Sequence, residues 1–154
     1  MKQLNTGRYK GDHTMNESMQ KNINLIGRIL LGLIFLMSAI GKITDFEGTS
    51  AYMAAQNMPM VPVFLVGAIV TLLIGATSLI LGFKARIGAT LLIIFLIPAS
   101  LIFHAFWTLE GDAVQPQMIN FMKNLSIMGG LLIIVANGAG GRSLDAKMAA
   151  TKEG

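Results

Sequence analysis

Four long apolar runs, each free or nearly free of charge, constrain this chain more than any other feature. They cover about residues 23–43, 61–83, 86–109 and 117–138. A helix needs about 20 apolar residues to cross the roughly 30 Å of hydrocarbon in a bilayer, and each run has that length. Hydrocarbon offers the backbone no water, so a single segment that crosses it must satisfy its own N–H and C=O groups, which makes helix the forced choice. The runs predict an all-α, integral membrane four-helix bundle over residues 22–141, flanked by polar tails at 1–21 and 142–154.

The composition explains why these runs are not the core of a soluble domain. Only 13% of the 154 residues are charged, against about 25% in soluble domains. The absence of cysteine removes disulfides, thiolate nucleophiles and cysteine-held clusters from the chain's own chemistry. His13 and His104 are the two histidines. Since His13 falls in the polar tail, neither a bis-histidine haem nor a zinc site is expected, and no covalently bound cofactor. The formal charge of +4 does not indicate nucleic acid, because the basic residues flank the apolar runs instead of forming one stripe. The expected partner is the lipid bilayer.

Residues 1–21 read as a polar tail, with Met15 as an alternative start. Ala39-Ile40-Gly41 loosely resembles a cleavage site, but the polar region before it and the apolar run itself are too long for a signal peptide, so the first segment is expected to be retained.

Ten of the twelve basic residues fall on one side of the four-helix topology: Lys2, Arg8, Lys10, Lys21, Arg28, Lys84, Arg86, Arg142, Lys147 and Lys152. Basic residues stay cytoplasmic, so both termini and the tight turn at Gly82–Ala85 are expected inside. The longer connection at 44–60 would then lie on the outer surface as a partly helical interfacial stretch.

Small residues recur in the second run at Gly67, Thr71, Gly75, Ser78 and Gly82. That spacing lets helix backbones approach closely within the bundle or, alternatively, between copies in a homo-oligomer. Pro98 is expected to kink the third run below His104.

The residues that bear on function are those a bilayer should exclude. Ser38, Lys42 and Asp45 are spaced to share one helical face, as are Ser100, His104 and Trp107. Asn120, Lys123 and Asn124 share a third, with Gln117 a turn earlier. The alternating helix directions bring all three faces to the outer third of the bundle. A lysine at mid-bilayer costs about 2.5–3.5 kcal/mol, so Lys42 and Lys123 either snorkel to the interface or serve a cavity. Asp45 is the nearest candidate counter-ion for Lys42, and Glu110 or Asp112 for His104.

At these residues the sequence resembles the DoxX family of small four-helix bacterial membrane proteins. The resemblance spans about residues 22–145. It rests on Gly27-Arg28-Ile29-Leu30-Leu31-Gly32, Gly41-Lys42-Ile43-Thr44-Asp45-Phe46 and Leu81-Gly82-Phe83-Lys84-Ala85-Arg86, followed by Ile97–His104 and Gln117–Asn124. Family members often carry an acidic residue early in the second helix, where this chain has Thr71 and Leu72. The resemblance implies a protein of the bacterial cytoplasmic membrane, in some cases linked to quinone-dependent oxidoreduction or to redox-stress complexes with soluble partners.

Three functions stand open at this level. One is an accessory subunit of a quinone-linked oxidoreductase, with His104, Lys123, Asn120 and Trp107 offering hydrogen bonds beside an apolar slot. The second is a non-catalytic scaffold for soluble partners at the basic face. The third is a small anion or solute permease that uses Lys42 and Lys123 as fixed charges, although no inverted repeat is visible.

Overall fold

The computed structural model describes residues 16–152. The segment before it, with His13 and the alternative start at Met15, lies outside the described residues. Six α-helices follow in order: α1 Glu17–Thr44, α2 Phe46–Ala55, α3 Val61–Leu81, α4 Ala85–Phe103, α5 Val114–Asn137 and α6 Leu144–Lys152. Short 3-10 turns at Phe106–Thr108 and Gly111–Ala113 join α4 to α5, and no strand occurs among the described residues. α1, α3, α4 and α5 belong to the four segments long and apolar enough to cross a membrane.

α1 packs on α3, α3 on α4 and α4 on α5, while α5 returns to α1 through a thinner contact. The shared core is built from Phe35 and Ala39, then Leu72, Ala76 and Leu79, then Ala85, Ala89, Leu92 and Leu96, and finally Leu131 and Ile134. Alanine is frequent there because helices in lipid gain little from burying bulk and much from close approach. The outward faces remain apolar: Ile26, Leu30, Ile74 and Ile133 are all more than half exposed. In water such a surface would aggregate; in lipid it is the solvated face.

The end carrying the α3–α4 turn is tied together by polar contacts. Gly82 closes α3 at φ +65°, and a side chain here would collide with the Arg28 guanidinium as well as straining the backbone. The carboxylate of Asp145, from α6, accepts from the backbone N–H groups of Lys84 at 2.7 Å and Ala85 at 3.1 Å. These are orphan donors in the first turn of α4, which lacks a side-chain cap of its own. Asp145→Ala is therefore expected to lower stability by about 1–2 kcal/mol, as loss of a helix cap does. Asp145→Asn should recover part of that loss, because one amide oxygen can still accept. Thermal melts in detergent micelles read both.

The small-residue stripe on α3 divides into two parts. Gly75 lies against the Leu92 side chain, and Gly88 of α4 against Ser78, so α3 and α4 touch closely near their turn. Toward the α2 end the stripe leaves that contact: a Cβ on Gly67 would meet nothing within 4 Å.

α4 is shorter than the apolar run that encodes it. It stops at Phe103, and His104 is its C-cap, with φ −128° and its N–H on the Ser100 carbonyl at 3.1 Å. Phe106, Trp107 and Phe121 form a cluster of edge-on rings with centroids 5.2–5.7 Å apart, which draws the chain off the helix axis and onto α5. Trp107 consequently leaves the face it was expected to share with Ser100 and His104. The expected interfacial stretch contains a regular helix, α2, and Asp45 begins it by accepting from the Gly48 N–H at 3.1 Å.

Candidate functional site: a cavity under α2

At the α2 end the transmembrane helices line a half-open cavity of about 920 Å³. Most of its wall is aliphatic and aromatic. Lys42 of α1, His104 at the end of α4, and Lys123 and Asn124 of α5 line it, together with the hydroxyls of Ser38, Thr49, Tyr52 and Thr71, and no carboxylate among the described residues does. Thr49, Tyr52 and Met53 of α2 close the end. Tyr52 stacks on Phe103 with ring centroids 5.5 Å apart, and its hydroxyl donates to the Phe103 carbonyl at 3.4 Å, which ties α2 to the last turn of α4.

Helical spacing explains how the polar groups arrive. Lys42 sits one turn beyond Ser38 on α1, and its Nζ donates to Ser38 Oγ at 3.0 Å. The expected pairing with Asp45 is absent, because Asp45 has left the helix to cap α2. Nor do Glu110 or Asp112 meet His104. Gln117 Oε1 lies 2.7 Å from its Nδ1 instead, which places the ring proton on Nδ1 and leaves Nε2 free. Glu17–Lys21 is the one ion pair among the described residues, far from the cavity.

Ser100 and Asn124 are both buried and bonded to each other. Asn124 Nδ2 donates to Ser100 Oγ at 3.0 Å, and that hydroxyl donates to the Leu96 carbonyl at 2.7 Å. Their direct role is to join α4 and α5, with Asn124 alone reaching the cavity wall. Asn120 does not line the cavity; its Oδ1 accepts from Lys123 Nζ at 3.0 Å. Trp107 and Asp45 stand outside the cavity wall as well.

Helical spacing alone does not find the roof of the cavity, made by α2, nor the room beneath it, left by Gly67, Ala68 and Thr71. The available signal is the small-residue stripe on α3, where a Cβ on Gly67 would meet nothing within 4 Å. Arg28, read from sequence as a flanking charge, is 2% exposed. It donates from Nη1 to the Leu79 carbonyl at 2.9 Å and from Nη2 to the Arg142 carbonyl at 2.6 Å.

These features define a multi-pass membrane protein with an interior cavity that is apolar along its walls and cationic at one end. A model of the DoxX family matches residues 23–105, which span α1 through α4. The chain is 40% identical to the inner membrane protein YphA of Escherichia coli strain K12 over 121 residues, covering 79% of this chain and 86% of that protein. It is 34% identical over 122 residues to the inner membrane protein YqjF of the same strain, covering 79% and 88%. A Surfeit locus protein 4 homolog of Drosophila melanogaster is 31% identical over 140 residues, 89% of this chain but 45% of that longer protein. No solved structure matches the chain. The chain belongs to the DoxX family and is a multi-pass inner membrane protein.

Proposed function

We propose that this DoxX-family protein is an accessory membrane subunit of a quinone-linked oxidoreductase or redox-stress complex, and that its cavity holds the quinone. The observation that carries this reading is the largely apolar 920 Å³ cavity with Lys42 and His104 at its polar end and no carboxylate in its wall among the described residues. A quinone is an apolar molecule with a carbonyl-bearing ring, and when bound it supplies electron and proton carriage that is soluble in the bilayer. The donor set fits it. The Lys42 ammonium donates to a carbonyl oxygen. His104, with Nδ1 held by Gln117, keeps the Nε2 lone pair to accept a hydrogen bond from a hydroxyl. Lys123, held by Asn120, adds positive charge at the rim. The chain has no cysteine, so electrons would arrive from a partner protein, soluble or membrane-bound. The basic end that carries the α3–α4 turn faces the cytoplasm in this reading, as the distribution of Lys and Arg favours.

The test is quinone retention. The protein is moved from native membrane into nanodiscs, washed and extracted, and quinone per chain is measured by mass spectrometry. Lys42→Met should lower retention roughly tenfold, the equivalent of about 1.4 kcal/mol, at the lower edge of what one hydrogen bond to a charged group contributes. His104→Ala should lower it by a few-fold. Quinone at background in the wild type, or equal occupancy in all three proteins, would sink the reading in favour of a scaffold.

A further inference from the structure

We infer that the ligand of the cavity enters sideways from the bilayer, between the α2-end halves of α3 and α4, and leaves its tail in the hydrocarbon. The site then selects a ring-bearing head and is indifferent to tail length. The identity of that head rests on the quinone reading; the route does not.

The facing stripes of α3 and α4 carry the argument. Phe64, Gly67 and Thr71 on α3 and Ile94, Pro98 and Ile102 on α4 all line the cavity, and each set is spaced to fall on one side of its helix. Nearer the turn the same two helices are in contact through Gly75 with Leu92 and Gly88 with Ser78. The pair therefore parts like a V, and the cavity fills the open arms. Exposure shows which side is open. Phe64 is 52% and Ile94 62% exposed although both line the cavity, whereas the lining residues Phe35, Leu72 and Leu96 deeper in the bundle are at most 5% exposed.

The opening is apolar and therefore meets lipid at no solvation cost, whereas a water-filled entrance would need polar walls. The end of the cavity is closed by α2, where Met53 is 6% exposed and Tyr52 is fastened to Phe103. Pro98 offers no N–H to its own helix, which lowers the cost of α4 bending away here. The volume falls at the upper end of small-molecule sites, about 300–1,000 Å³. That is room for a ring and the first part of a tail, while a long polyprenyl chain must continue outside.

Two readouts test the route. In a chain with no native cysteine, Gly67→Cys carries a nitroxide at the proposed portal. In nanodiscs that label should collide with dissolved oxygen and be shielded from a water-soluble nickel chelate. Access to nickel exceeding access to oxygen overturns lateral entry, whatever ligand binds. Separately, Gly67→Phe places a ring in open space; it should keep the wild-type melting temperature and lower retention of added quinone roughly tenfold. Wild-type protein should retain decyl-tailed and long polyprenyl-tailed quinones of one head group within about twofold. Undiminished retention in a folded Gly67→Phe protein, or a tenfold preference set by tail length, overturns the proposal. If the wild type retains no quinone at all, the quinone reading falls and the collision experiment alone decides the portal.

Discussion

Arg28→Met is expected to cost about 3 kcal/mol of folding stability, and Arg28→Lys to recover less than half of it. The guanidinium is buried and spans two elements, donating to the Leu79 carbonyl in the last turn of α3 and to the Arg142 carbonyl ahead of α6. A hydrogen bond from a charged donor contributes about 1.5–3 kcal/mol, and the carbonyls left behind would be buried without a partner. Removing a buried charge returns part of its desolvation cost, which keeps the expected loss below the sum of the two bonds. Lysine cannot replace the fork: a single ammonium on a flexible stem reaches one carbonyl or the other, where the planar guanidinium bridges both. The damage should also be local. With Arg142 released, Asp145 loses its position at the start of α4, so α6 should become susceptible to protease while the transmembrane helices still resist. Reversible unfolding in mixed micelles reads the stability, and limited proteolysis reads α6. A stable Arg28→Met protein with a protected α6 would show that the arginine is incidental.

The contrast between Arg28 and Lys42 shows what the sequence could and could not convey. Both are basic residues in one apolar run, Arg28 near its entrance and Lys42 at its end, and hydropathy treats them alike. The transmembrane segments were legible because hydrocarbon permits only one backbone solution, and that constraint acts on composition, independent of partners. The gathering of Lys42, His104, Lys123 and Asn124 at one end was legible for a related reason, since helix direction alternates and depth follows from residue number. Partner choice was not legible. Asp45 looked like a counter-ion until a local backbone N–H at Gly48 claimed it, and Gln117 took the place at His104 that an acid was expected to fill. In both cases the choice was made by where the helix ended, and helix ends are decided by short-range geometry that a hydropathy pattern does not contain. Trp107 shows the same limit: an aromatic cluster with Phe106 and Phe121 outweighed the helical continuation of α4.

Gly88→Leu is expected to impair the cavity from outside it. Gly88 does not line the cavity; it sits where α4 presses on Ser78 of α3, near the turn. Together with Gly75 against Leu92 it forms the point from which the two helices diverge. A side chain at Gly88 meets Ser78, whose hydroxyl is already committed to the Phe83 carbonyl at 2.7 Å, so the hydroxyl cannot turn aside without giving up a bond. Overpacking a contact of this kind costs about 1–3 kcal/mol, and the strain is relieved by moving the helices apart at the turn. Rotation about that contact changes the separation at the far end, where Gly67 of α3 and Pro98 of α4 line the cavity. The variant should therefore lose stability and quinone retention together, although every cavity side chain is intact. Gly67→Ala provides the comparison: the added methyl enters open space, and stability should stay within about 0.5 kcal/mol of the wild type. A nitroxide pair placed on α3 and α4 at the α2 end would report the separation directly, with an altered distance in Gly88→Leu and none in Gly67→Ala. If Gly88→Leu is destabilised but the distance and quinone retention are unchanged, the two ends of the α3–α4 seam are mechanically independent and the cavity owes its shape to α2 alone.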